Sequence, residues 1–99
     1  MQLIAKQPYI KVERQVSSIE QWDVEEQRMI YLYDEKVVTR RREFPITDVL
    51  DISYKEVAGK GGLLYLHTLK GVFPYTVKSS PQPFIDAFNR YIKEEGKNL

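Results

Sequence analysis

The feature that most constrains this chain is its closing segment. Phe84, Ile85, Phe88, Tyr91 and Ile92 recur at three- and four-residue spacing, which lines one helix face with apolar side chains and leaves Asp86, Asn89, Arg90 and Lys93 to water. Ser80 is placed to cap the first turn, Pro81 suits the first helical position and Gly96 is a natural stop, so the spacing predicts a helix over about 81–95. An apolar stripe needs a surface to cover it. Upstream the sequence offers strand-like runs separated by turn signals, so this one helix must lie on a sheet.

Residues 9–16 alternate Ile10, Val12 and Val16 with Lys11, Glu13 and Gln15, the pattern of a half-buried strand. In the next segment Ile19, Trp22 and Val24 fit either an irregular strand or a short helical turn. The expectation over 19–28 is a loop or short helix leading into a strand. Residues 29–33, rich in aromatic and branched side chains, favour pleated structure; either Tyr31 and Tyr33 or Ile30 and Leu32 face outward. Asp34, Glu35 and Lys36 reverse the chain, and residues 37–44 make a return strand that ends at Pro45, which has no N–H for a ladder. Ile46 and Val49 bracket one tight turn, after which Leu50, Ile52 and Tyr54 alternate with Asp51, Ser53 and Lys55.

Gly59, Gly61 and Gly62 form the strongest turn signal, leading to a strand over 63–69. Lys70 and Gly71 connect it to residues 72–77, where Pro74 marks an edge position or a bulge. The helix face Phe84, Ile85, Phe88 and Ile92 is expected to pack on Ile30, Leu32, Leu64, Leu66 and Val77.

With 99 residues the chain is read as one domain over 1–99. A hydrophobic fraction of 42% is enough for a packed core and argues against disorder. The absence of cysteine excludes disulfides and thiolate metal sites. The first six residues show neither the basic start nor the apolar run of a signal peptide, and no apolar stretch nears the roughly 20 residues that span a bilayer, so a soluble, cytoplasmic protein is expected. A net charge of +1 argues against a protein that grips nucleic acid with its whole surface.

The order of elements carries a resemblance. A strand hairpin, the turn Ile46-Thr47-Asp48-Val49, a strand, a Gly-rich turn over 59–62, a hairpin at Lys70-Gly71, and a closing helix with Phe84 and Phe88 follow one another. Residues 29–92 in this order resemble the small bacterial domains of the pleckstrin-homology-like family. The resemblance implies an α+β fold, a partly open seven-stranded antiparallel β-barrel with one end plugged by a C-terminal helix, and binding rather than catalysis. Phosphoinositide-binding members typically place a lysine and paired arginines around the first hairpin; Lys11 and Arg14 stand too close together to supply that set. Many bacterial relatives use the fold for protein contacts or self-assembly.

The densest charge cluster is Arg40-Arg41-Arg42. On a strand Arg40 and Arg42 would share a face, ready to hold a phosphate or carboxylate bidentately; the commoner use of such charges is to blunt a sheet edge. Lys36, Arg40, Arg42 and Lys60 are the candidate binding residues. His67 has no Ser, Cys or second His at a spacing that suggests a triad or a metal site. Asp48, Asp51 and Glu56 cannot be paired into an acid and a base, and the glycines at 59–62 lack phosphate-loop spacing. No enzyme, no cofactor and no metal are therefore expected. The function expected is an interaction module that binds protein partners or its own copies through a sheet edge or the basic strand, the alternative being an anionic ligand or lipid headgroup.

Overall fold

The computed structural model describes residues 1–57 and 61–95; Lys60, the start of the Gly-rich turn and the expected stop at Gly96 lie outside them. Seven strands and one helix follow in chain order: β1 (Leu3–Val16), β2 (Gln21–Tyr33), β3 (Lys36–Val38), β4 (Glu43–Pro45), a 3₁₀ turn (Ile46–Asp48), β5 (Val49–Glu56), β6 (Gly62–Thr68), β7 (Gly71–Val77) and α1 (Gln82–Glu95). All pairings are antiparallel, in the spatial order β4-β3-β2-β1-β7-β6-β5. The result is an α+β fold, a curled, partly open sheet with one C-terminal helix.

The curl buries one face. Ile30 and Leu32 of β2, Val37, Phe44, Ile52, Leu64 and Leu66, and Val77 meet Phe84, Ile85 and Phe88 of α1 in one core, with Ile92 partly buried at its rim. Tyr31 and Tyr33 therefore point outward, their rings 6.2 Å apart. The helix starts as its residues dictate, Ser80 Oγ accepting from the Gln82 N–H at 3.3 Å. Tyr91 donates its hydroxyl to the Asp34 carbonyl at 2.7 Å, tying α1 to the β2–β3 turn. Gly61 enters β6 with φ +80°, and a Cβ there would stand 2.1 Å from the Val77 carbonyl oxygen, so only glycine fits. No helix among the described residues is long and apolar enough to cross a membrane.

Four expectations are corrected. The half-buried strand over 9–16 is longer, Leu3–Val16, and every residue from Lys11 to Gln27 is exposed. The segment 19–28 is neither loop nor helix but mostly strand, paired with β1 from Val16–Gln21 inward; the waiting edge of β1 outweighs a mixed local propensity. The return strand over 37–44 breaks into β3 and β4, because a continuous strand would turn Arg41 to the same face as buried Val37 and Thr39, and an unpaired buried charge is costly. A register shift between Val49 and Asp51 puts Val49 and Ile52 in the core and leaves Leu50 52% exposed, against the simple alternation.

The outer half of the β1–β2 hairpin projects as an arm. It turns through Ser17–Glu20, where the Ser17 N–H donates to the Glu20 carbonyl at 2.8 Å and Ser17 Oγ accepts from the Glu20 N–H at 3.1 Å. The molecule measures 55 × 27 × 23 Å, with a radius of gyration of 15.1 Å against about 13 Å for a compact chain of this length.

Truncating Phe88 to alanine removes a ring at the centre of this core and should lower stability to urea by about 3–5 kcal/mol. Leu50→Ala, outside the core, should stay within about 0.5 kcal/mol of wild type. Equal effects of the two changes would refute the placement of α1.

Candidate functional site

β1 and β7 are bridged at one pair, Ile10 and Thr76. Beyond it, on the side away from α1, the two strands part. Pro74, two residues on, has no N–H with which to continue the ladder. The strands enclose a wedge of about 410 Å³, walled by β1 from Tyr9 to Val12, by β7 from Phe73 to Thr76, and by Thr39, Arg41 and Arg42. Arg28 of β2, opposite Tyr9 in the register, also lines it.

The β3–β4 loop is built by its own residues. The Thr39 N–H donates to the Arg42 carbonyl at 2.8 Å, and the Arg42 N–H donates to Thr39 Oγ1 at 3.2 Å. This closes a tight turn with Arg40 and Arg41 at its tip. Arg42 lays its guanidinium 4.6 Å from the Phe73 ring centre, a cation–π contact that fixes the charge over the wedge. Phe73 in turn packs on Phe44, ring centres 5.0 Å apart. Among the described residues no carboxylate lies within ion-pair distance of Arg40, Arg41, Arg42 or Lys11.

Beneath the loop, Tyr9 and Tyr75 meet edge to face with centres 4.9 Å apart, and the Arg40 N–H donates to the Tyr9 hydroxyl at 3.4 Å. Burial pushes the Tyr75 phenol above its ordinary 10.0, a hydrogen bond with Thr39 pulling partly the other way. The Arg28 side chain is 7% exposed, with Glu26 at 3.2 Å and Glu13 at 3.8 Å. The Glu26 hydrogen bond raises the Arg28 pKa, and the same contact holds the Glu26 carboxyl below its usual value, with smaller help from Arg40 and Arg41.

Of the residues singled out from the sequence, Arg42 stands in the wedge and Arg40 on its rim, above a smaller hollow lined by Arg28 and Tyr31. They sit in a loop and not on one strand face. Lys36 is elsewhere, paired with Glu43, whose hydrogen bond raises its pKa. Lys60 lies outside the described residues. Arg41 joins the site through the loop it shares with Arg42, and Arg28, Lys11, Tyr9 and Tyr75 only through the sheet order. Arg41 lines both the wedge and a second hollow shared with Asp48 and Lys70. The linear arginine run was the one local signal.

His67 is a half-buried strand residue of β6, with a neighbour that its sequence spacing did not show. Its Nε2 lies 2.7 Å from Ser53 Oγ, because β5–β6 pairing brings positions fourteen apart side by side. Asp51 stands opposite His67 in the register, yet no hydrogen bond joins them among the described residues. The pair sits on the outward strand face, away from the wedge.

No protein-family model matches the chain, and neither does any curated protein or solved structure. The wedge therefore has to be read from its own chemistry. It presents the facing edges of two strands, Lys11, Arg41 and Arg42 with no ion pair among the described residues, and two aromatic walls, an arrangement suited to an extended acidic chain.

The Tyr75 phenol gives a test of the wedge's packing. Its contribution to stability is whole below pH 10; as pH rises through the raised folded value, the unfolded chain loses its proton first and the contribution is lost. Urea denaturation from about pH 9 upward should show stability falling above pH 10 in wild type, and falling less steeply in Tyr75→Phe. Identical slopes would show Tyr75 to be solvated.

Proposed function

We propose that this chain is a non-catalytic interaction module of pleckstrin-homology-like type that binds an extended, acidic protein segment in the wedge between β1 and β7. The observation that carries the reading is the parting of two strands at Ile10 and Thr76 beneath a loop of three arginines, none of which forms an ion pair among the described residues. An unpaired strand edge recruits a further strand through main-chain hydrogen bonds, while side-chain pockets select the sequence. Here Lys11, Arg41 and Arg42 select carboxylates, and Phe73 and Tyr75 accept apolar side chains between them.

The pleckstrin-homology-like part of the proposal rests on the order of two hairpin-rich halves and a closing helix. A second reading has one observation in its favour: Arg41 and Arg42 both line two adjacent hollows, which suits a compact multiply charged anion such as a lipid headgroup. It makes no use of the strand edges.

Fluorescence anisotropy with a labelled peptide alternating glutamate and valine separates the two. The peptide should bind, more weakly as salt rises. Arg41→Ala with Arg42→Ala should weaken it at least about tenfold, roughly 1.4 kcal/mol, while Lys36→Ala leaves it unchanged. Binding of inorganic phosphate or anionic vesicles, with no binding of the peptide, would transfer the site to the second reading.

A further inference from the structure

Resting on the reading of the wedge as an acceptor of acidic extended chain, we propose that its partner is a second copy: two copies exchange arms, the acidic arm of each lying in the basic wedge of the other. Four observations converge on this occupant.

The arm is unfit to stand alone. From Lys11 to Gln27 each residue is exposed, and a two-stranded ribbon with no third strand or core is marginal in water. Its apolar residues are divided between faces. By the β1–β2 register, Val12 and Val16 lie on one side and Trp22 and Val24 on the other, with exposures from 40% to 65%.

The edges of the arm are open as well. β2 pairs with β3 only at Tyr31–Val38 and Leu32–Val37, and β1 meets β7 only at Ile10–Thr76. Both rows of backbone donors and acceptors in the arm are therefore available for pairing.

Charge supplies direction. From Val12 to Gln27 the arm carries Glu13, Glu20, Asp23, Glu25 and Glu26 against a single basic residue, Arg14. The wedge and its rim carry Arg40, Arg41 and Arg42, none in an ion pair among the described residues, with Lys11 at the base of the arm and Arg28, which is paired with Glu26 and Glu13. The chain's near-neutral total of +1 thus conceals two opposed poles. Four of the arm's five acids are ion-paired within the chain: Glu13 and Glu26 with Arg28, whose side chain is nearly buried, and Asp23 with Arg14 and Glu25 with Lys78, both exposed pairs, of the kind that contribute little and exchange readily.

Size and symmetry close the case. A stable interface uses about 20–30 residues from each side. Neither arm nor wedge reaches that number alone, and together they do. The arm overhangs the Ile10–Thr76 bridge by six residues of β1, roughly 20 Å. Two arms laid antiparallel about a two-fold axis place the tip of each at the base of the other, and the assembly closes at two copies.

The test is the oligomeric state of the full chain by light scattering and sedimentation, with arm variant D23K/E25K and wedge variant R41E/R42E. Wild type should be dimeric at low salt and dissociate as salt is raised, and each variant alone should be monomeric. An equimolar mixture of the two should be dimeric again, held by the one wild-type pairing that it restores, the acidic arm of R41E/R42E in the basic wedge of D23K/E25K; recovery also shows that both variants are folded. A monomeric wild type, a variant that dimerises alone, or a mixture that stays monomeric would overturn arm exchange. The labelled acidic peptide, offered to D23K/E25K with its wedge intact, keeps the two readings apart. Peptide binding alongside a monomeric wild type overturns arm exchange and leaves the acceptor wedge standing, whereas absence of both overturns both.

Discussion

Three residues join the two outermost strands of a seven-stranded sheet. β4 and β5 are at opposite edges, and only the 3₁₀ turn Ile46–Asp48 lies between them in sequence. Laid flat, six inter-strand gaps would span about 29 Å, whereas such a turn advances only about 6 Å. The sheet has to curl. That curl is what brings Phe44 of β4 against Phe73 of β7, gives the core a floor and a roof from the same sheet, and holds the β3–β4 loop over β7. Without it Arg42 would have no ring to lie on, and the wedge would have two walls instead of three. The Leu69 N–H, donating to the Asp48 carbonyl at 3.0 Å, ties the short turn to the β6–β7 hairpin.

Much of the fold was legible in the sequence because it is local. The helix begins at Gln82, as the cap at Ser80 requires, and β5, β6 and β7 fall where alternation and turn residues put them. The places that resisted reading are those decided by partners distant in sequence. Asp23, Glu25 and Glu26 have no strand preference of their own; they become strand because β1 offers them an edge along its whole length. The bulge at the start of β5 reverses the expected inward face at Leu50, since one extra residue changes the parity of everything before it.

The candidate site was legible to a lesser degree. The arginine run was visible as a linear cluster, but its loop conformation follows from where Val37 and Thr39 point, which only the core decides. Arg28 looked like the end of an ambiguous segment and is among the least exposed cations of the structure. Tyr9 and Tyr75, separated by most of the chain, meet only because β7 lies beside β1. The Ser53–His67 contact was hidden for the same reason. A strand register cannot be seen from one strand.

The arm's lack of a core has a further consequence, for how such a protein varies over time. Its strands pair with each other and with nothing beneath them, so its length is uncoupled from the packing of the body. Adding two residues to each strand would lengthen the reach by about 7 Å and, because the side-chain period is two, would leave every other residue on its original face. Removing the same number would shorten it with as little disturbance. The distance over which this molecule extends is thus an independent variable, open to change by paired insertion while the curled sheet, the helix and the wedge stay as they are.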